Sequence, residues 1–158
     1  MDLDKKLAEV SAQRTVTLIR LAASLKRQYD QWLLEMLAKQ GYDDIKTMHM
    51  LFLININPEG TNNCQLAKLA FVTKQAMSKV TKELLELGYI HAKIDEVDKR
   101  SAILKLTDRG KSLVITIRLT VMELMEEYKV LVGRTEFDTT IQTLLKIIEF
   151  NNERLKLN

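Results

Sequence analysis

Two clusters of side chains carry the chemistry this sequence can offer. The first is Lys74, Gln75, Ser78, Lys79 and Lys82. Their offsets of three and four would line them along one side of a helix. The second is the run DEVDKR at 95–100, where three carboxylates precede Lys99 and Arg100. Ammonium and guanidinium groups pair with phosphate oxygens. An amide such as Gln75 presents a donor and an acceptor together, which matches the edge of adenine. These are groups for recognising a polyanion rather than for making bonds. The sequence has no nucleophile elbow, phosphate loop or metal motif, so an enzyme is not expected.

The elements needed to hold these clusters are legible around them. Opposite the polar set, Ala76, Met77, Val80, Leu84 and Leu87 recur at helical spacing, which predicts a helix over 73–87. Thr73 can cap its start and Gly88 closes it. Residues 62–70 read as a shorter helix, with Asn62 and Gln65 spaced as a capping box and Leu66, Ala67 and Leu69 as its apolar side. FVT at 71–73 is a brief turn. YIHAKI at 89–94 and SAILKL at 101–106 show β-branched residues and partial alternation, which predicts an antiparallel hairpin with DEVDKR at its tip. Helix, turn, helix and hairpin in this order make a helix-turn-helix followed by a wing. The first turns of the second helix are those that reach base edges in a major groove. There the lysines and Ser78 suit guanine edges or phosphates.

Helices flank this middle section. Residues 4–39 contain neither glycine nor proline, and Leu7, Val10, Leu18, Leu21, Leu25, Trp32 and Met36 keep helical spacing. One helix of roughly 50 Å is expected, with room for a kink, ending at Gly41. Asp43 and Asp44 can cap a second helix carrying Ile45, Met48, Phe52 and Ile56, which NPEG at 57–60 ends. Thr107 caps a fifth helix that runs to about Val132, and Gly133 stops it. Thr135 with Asp138 opens a sixth. The fold class is therefore mainly α, a winged helix-turn-helix with a β-hairpin wing between N- and C-terminal helices.

The chain has 158 residues, 46% hydrophobic and 28% charged, with a net charge of +3. Such a composition fills a core and excludes disorder. No apolar run approaches the ~20 residues of a membrane span. MDLDKKLAEV lacks a basic region followed by an apolar stretch, and a single cysteine cannot close an internal disulfide. A cytoplasmic location with no membrane partner is expected. Residues 61–111 hold ten Lys/Arg against six Asp/Glu, a net +4, whereas the remainder holds 14 against 15, a net −1. Positive charge is concentrated where the helix-turn-helix and wing fall, as a segment facing a phosphate backbone requires.

With these parts in order, the sequence resembles the winged helix-turn-helix of the MarR (multiple antibiotic resistance regulator) family. LAKLA…TKQAMSK matches the helix-turn-helix, D-x-x-D-x-R at 95–100 the wing tip, and LTDRG at 106–110 the exit into the next helix. The resemblance implies an obligate homodimer that binds a palindromic operator in double-stranded DNA and needs no cofactor. Residues 1–40 and 108–158 would then form the dimerisation region and 41–107 the DNA-binding domain. The resemblance also implies that Arg100, with Lys99 beside it, contacts DNA and that Asp98 helps hold the wing. Residues two apart in a strand share a face, so Asp98 can reach Arg100. An arginine at such a tip suits the narrow, negative minor groove. Relatives are often richer in arginine along the strand that here has only Lys93, and His91 stands where a charged residue is common.

Tyr29, Trp32, Met48 and Phe52, with Tyr42, read either as ordinary core or as the lining of a pocket. In the latter case the resemblance implies a small aromatic or anionic effector, with Arg14, Arg20 or Arg27 as counter-charge. Cys64 reads as a small packed residue rather than an oxidant sensor, and His49 and His91 lack the further ligands that a metal site needs. The expected function is transcriptional regulation, by default a repressor released by a ligand. The rival is a winged-helix scaffold that binds proteins and no DNA.

Overall fold

The computed structural model of the chain describes residues 2–12, 17–70, 72–94 and 102–155. These form two compact units, residues 1–47 and 48–158. In the first, the single helix expected over 4–39 is two helices, α1 (Leu3–Ala12) and α2 (Leu18–Lys39). Thr17 is extended (φ −92°, ψ 146°) and its hydroxyl accepts the Arg20 N–H at 3.3 Å, an N-cap. The cause is local. Thr17 is β-branched, which loses side-chain freedom inside a helix, and its hydroxyl competes for backbone partners. Gly41 ends α2 as expected. At φ 87° it lets its own N–H reach Ala38 O (3.1 Å) and the Tyr42 N–H reach Leu37 O (3.0 Å).

The boundary between the units falls at the start of α3 (Thr47–Leu53), which is shorter than the helix expected there. Asp43 and Asp44 lie in a turn, Ile45 is buried ahead of α3 and Ile56 after it. Side chains stop α3: Asn55 Nδ2 donates to Leu51 O at 2.7 Å, and the Thr61 hydroxyl accepts the Asn57 N–H at 2.9 Å. α4 (Asn63–Leu69) and α5 (Lys74–Glu86) follow. The capping box at α4 is complete, with Gln65 N–H on Asn62 Oδ1 (2.9 Å) and Asn62 N–H on Gln65 Oε1 (3.1 Å).

β1 (Ile90–Ile94) pairs antiparallel with β2 (Ala102–Leu106), from Ile90 opposite Leu106 to Ile94 opposite Ala102. On its other edge β2 exchanges two bonds with Thr61, each 3.0 Å. α5 packs on β1, α4 on β2, and α4 on α5, so the core gathers Phe52, Leu66, Met77, Leu84, Tyr89 and Leu104. α6 (Asp108–Val132) packs on β2 and on α7 (Arg134–Leu155). Thr107 caps α6, accepting the Gly110 N–H at 3.1 Å. The last helix opens one residue earlier than expected, directly after Gly133, because Gly133 O already accepts the Phe137 N–H. Thr135 is thus inside its first turn. No described residue of α7 is buried. Among the described residues, no helix is long and apolar enough to cross a membrane.

Candidate nucleic-acid interface

The site starts from how α5 is held. The Thr73 hydroxyl accepts the Ala76 N–H at 3.1 Å and fixes where the helix begins. Met77, Val80, Thr81 and Leu84 are buried. Lys74, Gln75, Ser78, Lys79 and Lys82 are all exposed, so the helix carries the five polar side chains away from its core face. Ala76, expected on the apolar face, is exposed, and Leu87 is half-buried. Thr81 takes a place the apolar pattern does not mark. Its hydroxyl bonds Asn63 Oδ1 (2.5 Å) and Met77 O (2.9 Å), tying α5 to the start of α4. The Ser78 hydroxyl donates to Lys74 O at 2.9 Å, so toward a ligand it acts as an acceptor. Lys82 lies 3.9 Å from Glu86, a loose and exposed pair.

The wing tip is the second part. Asp98, Lys99 and Arg100 lie outside the described residues. The Thr107 hydroxyl donates to Gly88 O at 2.7 Å, and Tyr89 O accepts the Thr107 N–H at 3.0 Å. Arg109 donates to Leu87 O and to the Tyr89 hydroxyl, each at 3.0 Å, and its guanidinium carbon sits 4.3 Å from the centre of that ring. A Cβ on Gly110 would strike the Tyr89 carbonyl oxygen. LTDRG and LGYI are therefore two halves of one joint between the end of α5, the start of β1 and α6. Sequence reading marked both stretches but not the Tyr89–Arg109 contact between them.

His49 is a second residue that spacing did not reveal. It is 1% exposed, and its Nε2 lies 2.9 Å from Glu83 Oε2. The pair ties α3 to α5 one turn beyond Lys79. The expected pocket residues divide between the units. Tyr29 and Trp32 are half-buried in α2, while in α3 Met48 is half-buried and Phe52 is 1% exposed. Arg20 and Arg27 are exposed. Cys64 is exposed in the first turn of α4, not packed as expected. Among the described residues, no group of three or more His, Cys, Asp or Glu side chains could hold a metal ion.

The architecture has close counterparts among solved structures. A MarR family transcription regulator, SP03579, superposes with a TM-score of 0.73 over 99% of this chain and 96% of that one, at 19% identity. The fold is that of the MarR family. The same MarR fold is seen in a complex of Staphylococcus aureus MepR with DNA, at a TM-score of 0.71, 19% identity, 85% of this chain and 98% of that one. In sequence, the chain is 27% identical over 128 residues to the HTH-type transcriptional regulator Hpr of Bacillus cytotoxicus, covering 80% of this chain. The chain spans 62% of the length of that relative. No protein-family model matches the sequence. Within the MarR fold, α4 and α5 are the helix-turn-helix, and β1 and β2 are the wing.

Proposed function

We propose that this protein is a MarR-type transcriptional regulator that binds a palindromic operator as a homodimer, with α5 in the major groove. The observation that carries the reading is the exposed set Lys74, Gln75, Ser78, Lys79 and Lys82, held on a helix whose opposite side is buried. Two likenesses support it: Hpr is named an HTH-type transcriptional regulator, and MepR is seen in complex with DNA. Gln75 reads a base, the lysines hold phosphates and bases, and Arg100 with Lys99 enters the minor groove with Asp98 as its brace.

The dimer reading rests on exposed apolar side chains at both ends of the chain. Leu7, Leu18, Leu21 and Leu25 are exposed in the first unit, and Leu145, Ile148 and Leu155 in the second. A second copy would cover them, with 1–40 and 108–158 as the dimerisation region and 41–107 as the DNA-binding domain. The default action is repression, relieved by a small aromatic or anionic effector. Retention on duplex DNA at two salt concentrations tests the reading. Strong, salt-sensitive retention is expected. Weak retention that salt does not change would point instead to a winged-helix scaffold for protein partners.

A further inference from the structure

A cavity of about 540 Å³ opens in the second unit, and no described residue of α5 lines it. That volume is in the range of small-molecule sites. Its walls are the loop after α3, both wing strands and the first half of α6. The hairpin register builds one wall. His91 lies opposite Lys105, and Lys93, two residues on from His91, shares its face. α6 builds another with Lys111, Val114, Ile115 and Arg118, at offsets of three and four along one side of the helix. Buried Ile56 and Val114 and half-buried Leu106 make the floor apolar.

Four fixed cations and an imidazole thus line one cavity, and among the described residues no carboxylate lines it. Lys111 is bonded to Asp108 at 2.9 Å. Among the described residues, Lys93, Lys105 and Arg118 have no ion-pair partner. Cations gathered around one concave space repel each other unless an anion sits among them. A singly charged carboxylate would match only one of the three. A phosphate monoester carries up to two negative charges and three strong acceptor oxygens, and a guanidinium takes such a group with two parallel bonds. The apolar floor calls for a carbon body attached to that group.

We propose that this cavity binds a small organic phosphate. The phosphate meets Lys93, Lys105 and Arg118, and the apolar body rests on Ile56, Leu106 and Val114. The site is distinct from the outer side of α5 and does not depend on what α5 binds.

Isothermal titration with phenyl phosphate tests this, with inorganic phosphate and phenol as the two halves of the probe. Phenyl phosphate should bind saturably, one per chain, at least about tenfold tighter than either half. A double variant, Lys93→Gln with Arg118→Gln, should weaken it by about tenfold or more. Arg118→Lys should recover part of the loss, and Lys68→Gln, outside the cavity, should change nothing. If the double variant loses its cooperative thermal melt, the two single variants carry the test, each expected to weaken binding about threefold or more. Absent binding, equal affinity for phenyl phosphate and inorganic phosphate, or binding unchanged in the variants would overturn the proposal. So would a loss of duplex-DNA affinity in the variants without saturable phenyl phosphate binding, since the cations would then be backbone contacts.

Discussion

At the scale of single residues, two kinds of contact on α5 make separable predictions. Gln75→Ala should relax preference at one operator position per half-site and leave non-specific binding nearly intact, because base contacts specify and phosphate contacts position. Lys82→Ala should weaken all sequences alike and flatten the salt slope by about one unit. Binding isotherms on matched and mismatched duplexes at several salt concentrations separate the two. An identical profile for both variants would refute the assignment. In the wing, Arg100→Ala should cost on the order of 1–3 kcal/mol of operator binding, with Arg100→Lys recovering only part. Asp98→Ala should also weaken operator binding if it braces the arginine, although simple charge removal would tighten it. The five polar residues of α5 were legible because a helical repeat is written in the sequence itself. Thr81 and His49 were not. Their partners, Asn63 and Glu83, lie 18 and 34 residues away, and no local pattern links residues that meet only after folding.

At the scale of elements, most boundaries follow from caps, and caps can be tested. Asn62→Ala removes one side of the capping box and should cost about 0.5–2 kcal/mol in a chemical-denaturation experiment, while leaving the exposed side of α5 unchanged. Asp108 offers a pH test at the start of α6. The bond from Lys111 Nζ, with its charge, holds the Asp108 carboxyl below the ordinary aspartate value. A folded value below the unfolded one means its contribution is full above the unfolded value and is lost as pH falls through the folded one. NMR titration should therefore show Asp108 protonating below the usual aspartate range, and Lys111→Ala should return it there. The hairpin, the capping box and the Thr73 and Thr107 caps were all readable from short signatures. The break before α2 was misread because the apolar repeat continues across it. Periodicity records which side is apolar, whereas the cap at Thr17 decides where α2 begins. α3 was overestimated for a related reason: buried Ile45 and Ile56 flank the helix rather than belong to it.

At the scale of the whole molecule, the exposed apolar residues decide the expected assembly. Val130 is 85% exposed and Leu131 78%, in addition to the leucines of α1, α2 and α7. Apolar surface of this extent marks an interaction face. The protein should therefore sediment as a dimer at micromolar concentration, with a Tm that rises with protein concentration. A monomer whose Tm ignores concentration would rule that out. Two copies related by a two-fold axis would place their recognition helices in successive major grooves roughly 34 Å apart. Nuclease footprinting on the DNA upstream of the protein's own coding region tests this most directly. Two protected half-sites with centres about one helical turn apart are predicted, with protection weakened in Gln75→Ala and lost as salt rises. Protection of a single unpaired site, or protein that leaves every sequence equally open to the nuclease at low salt, would contradict the account.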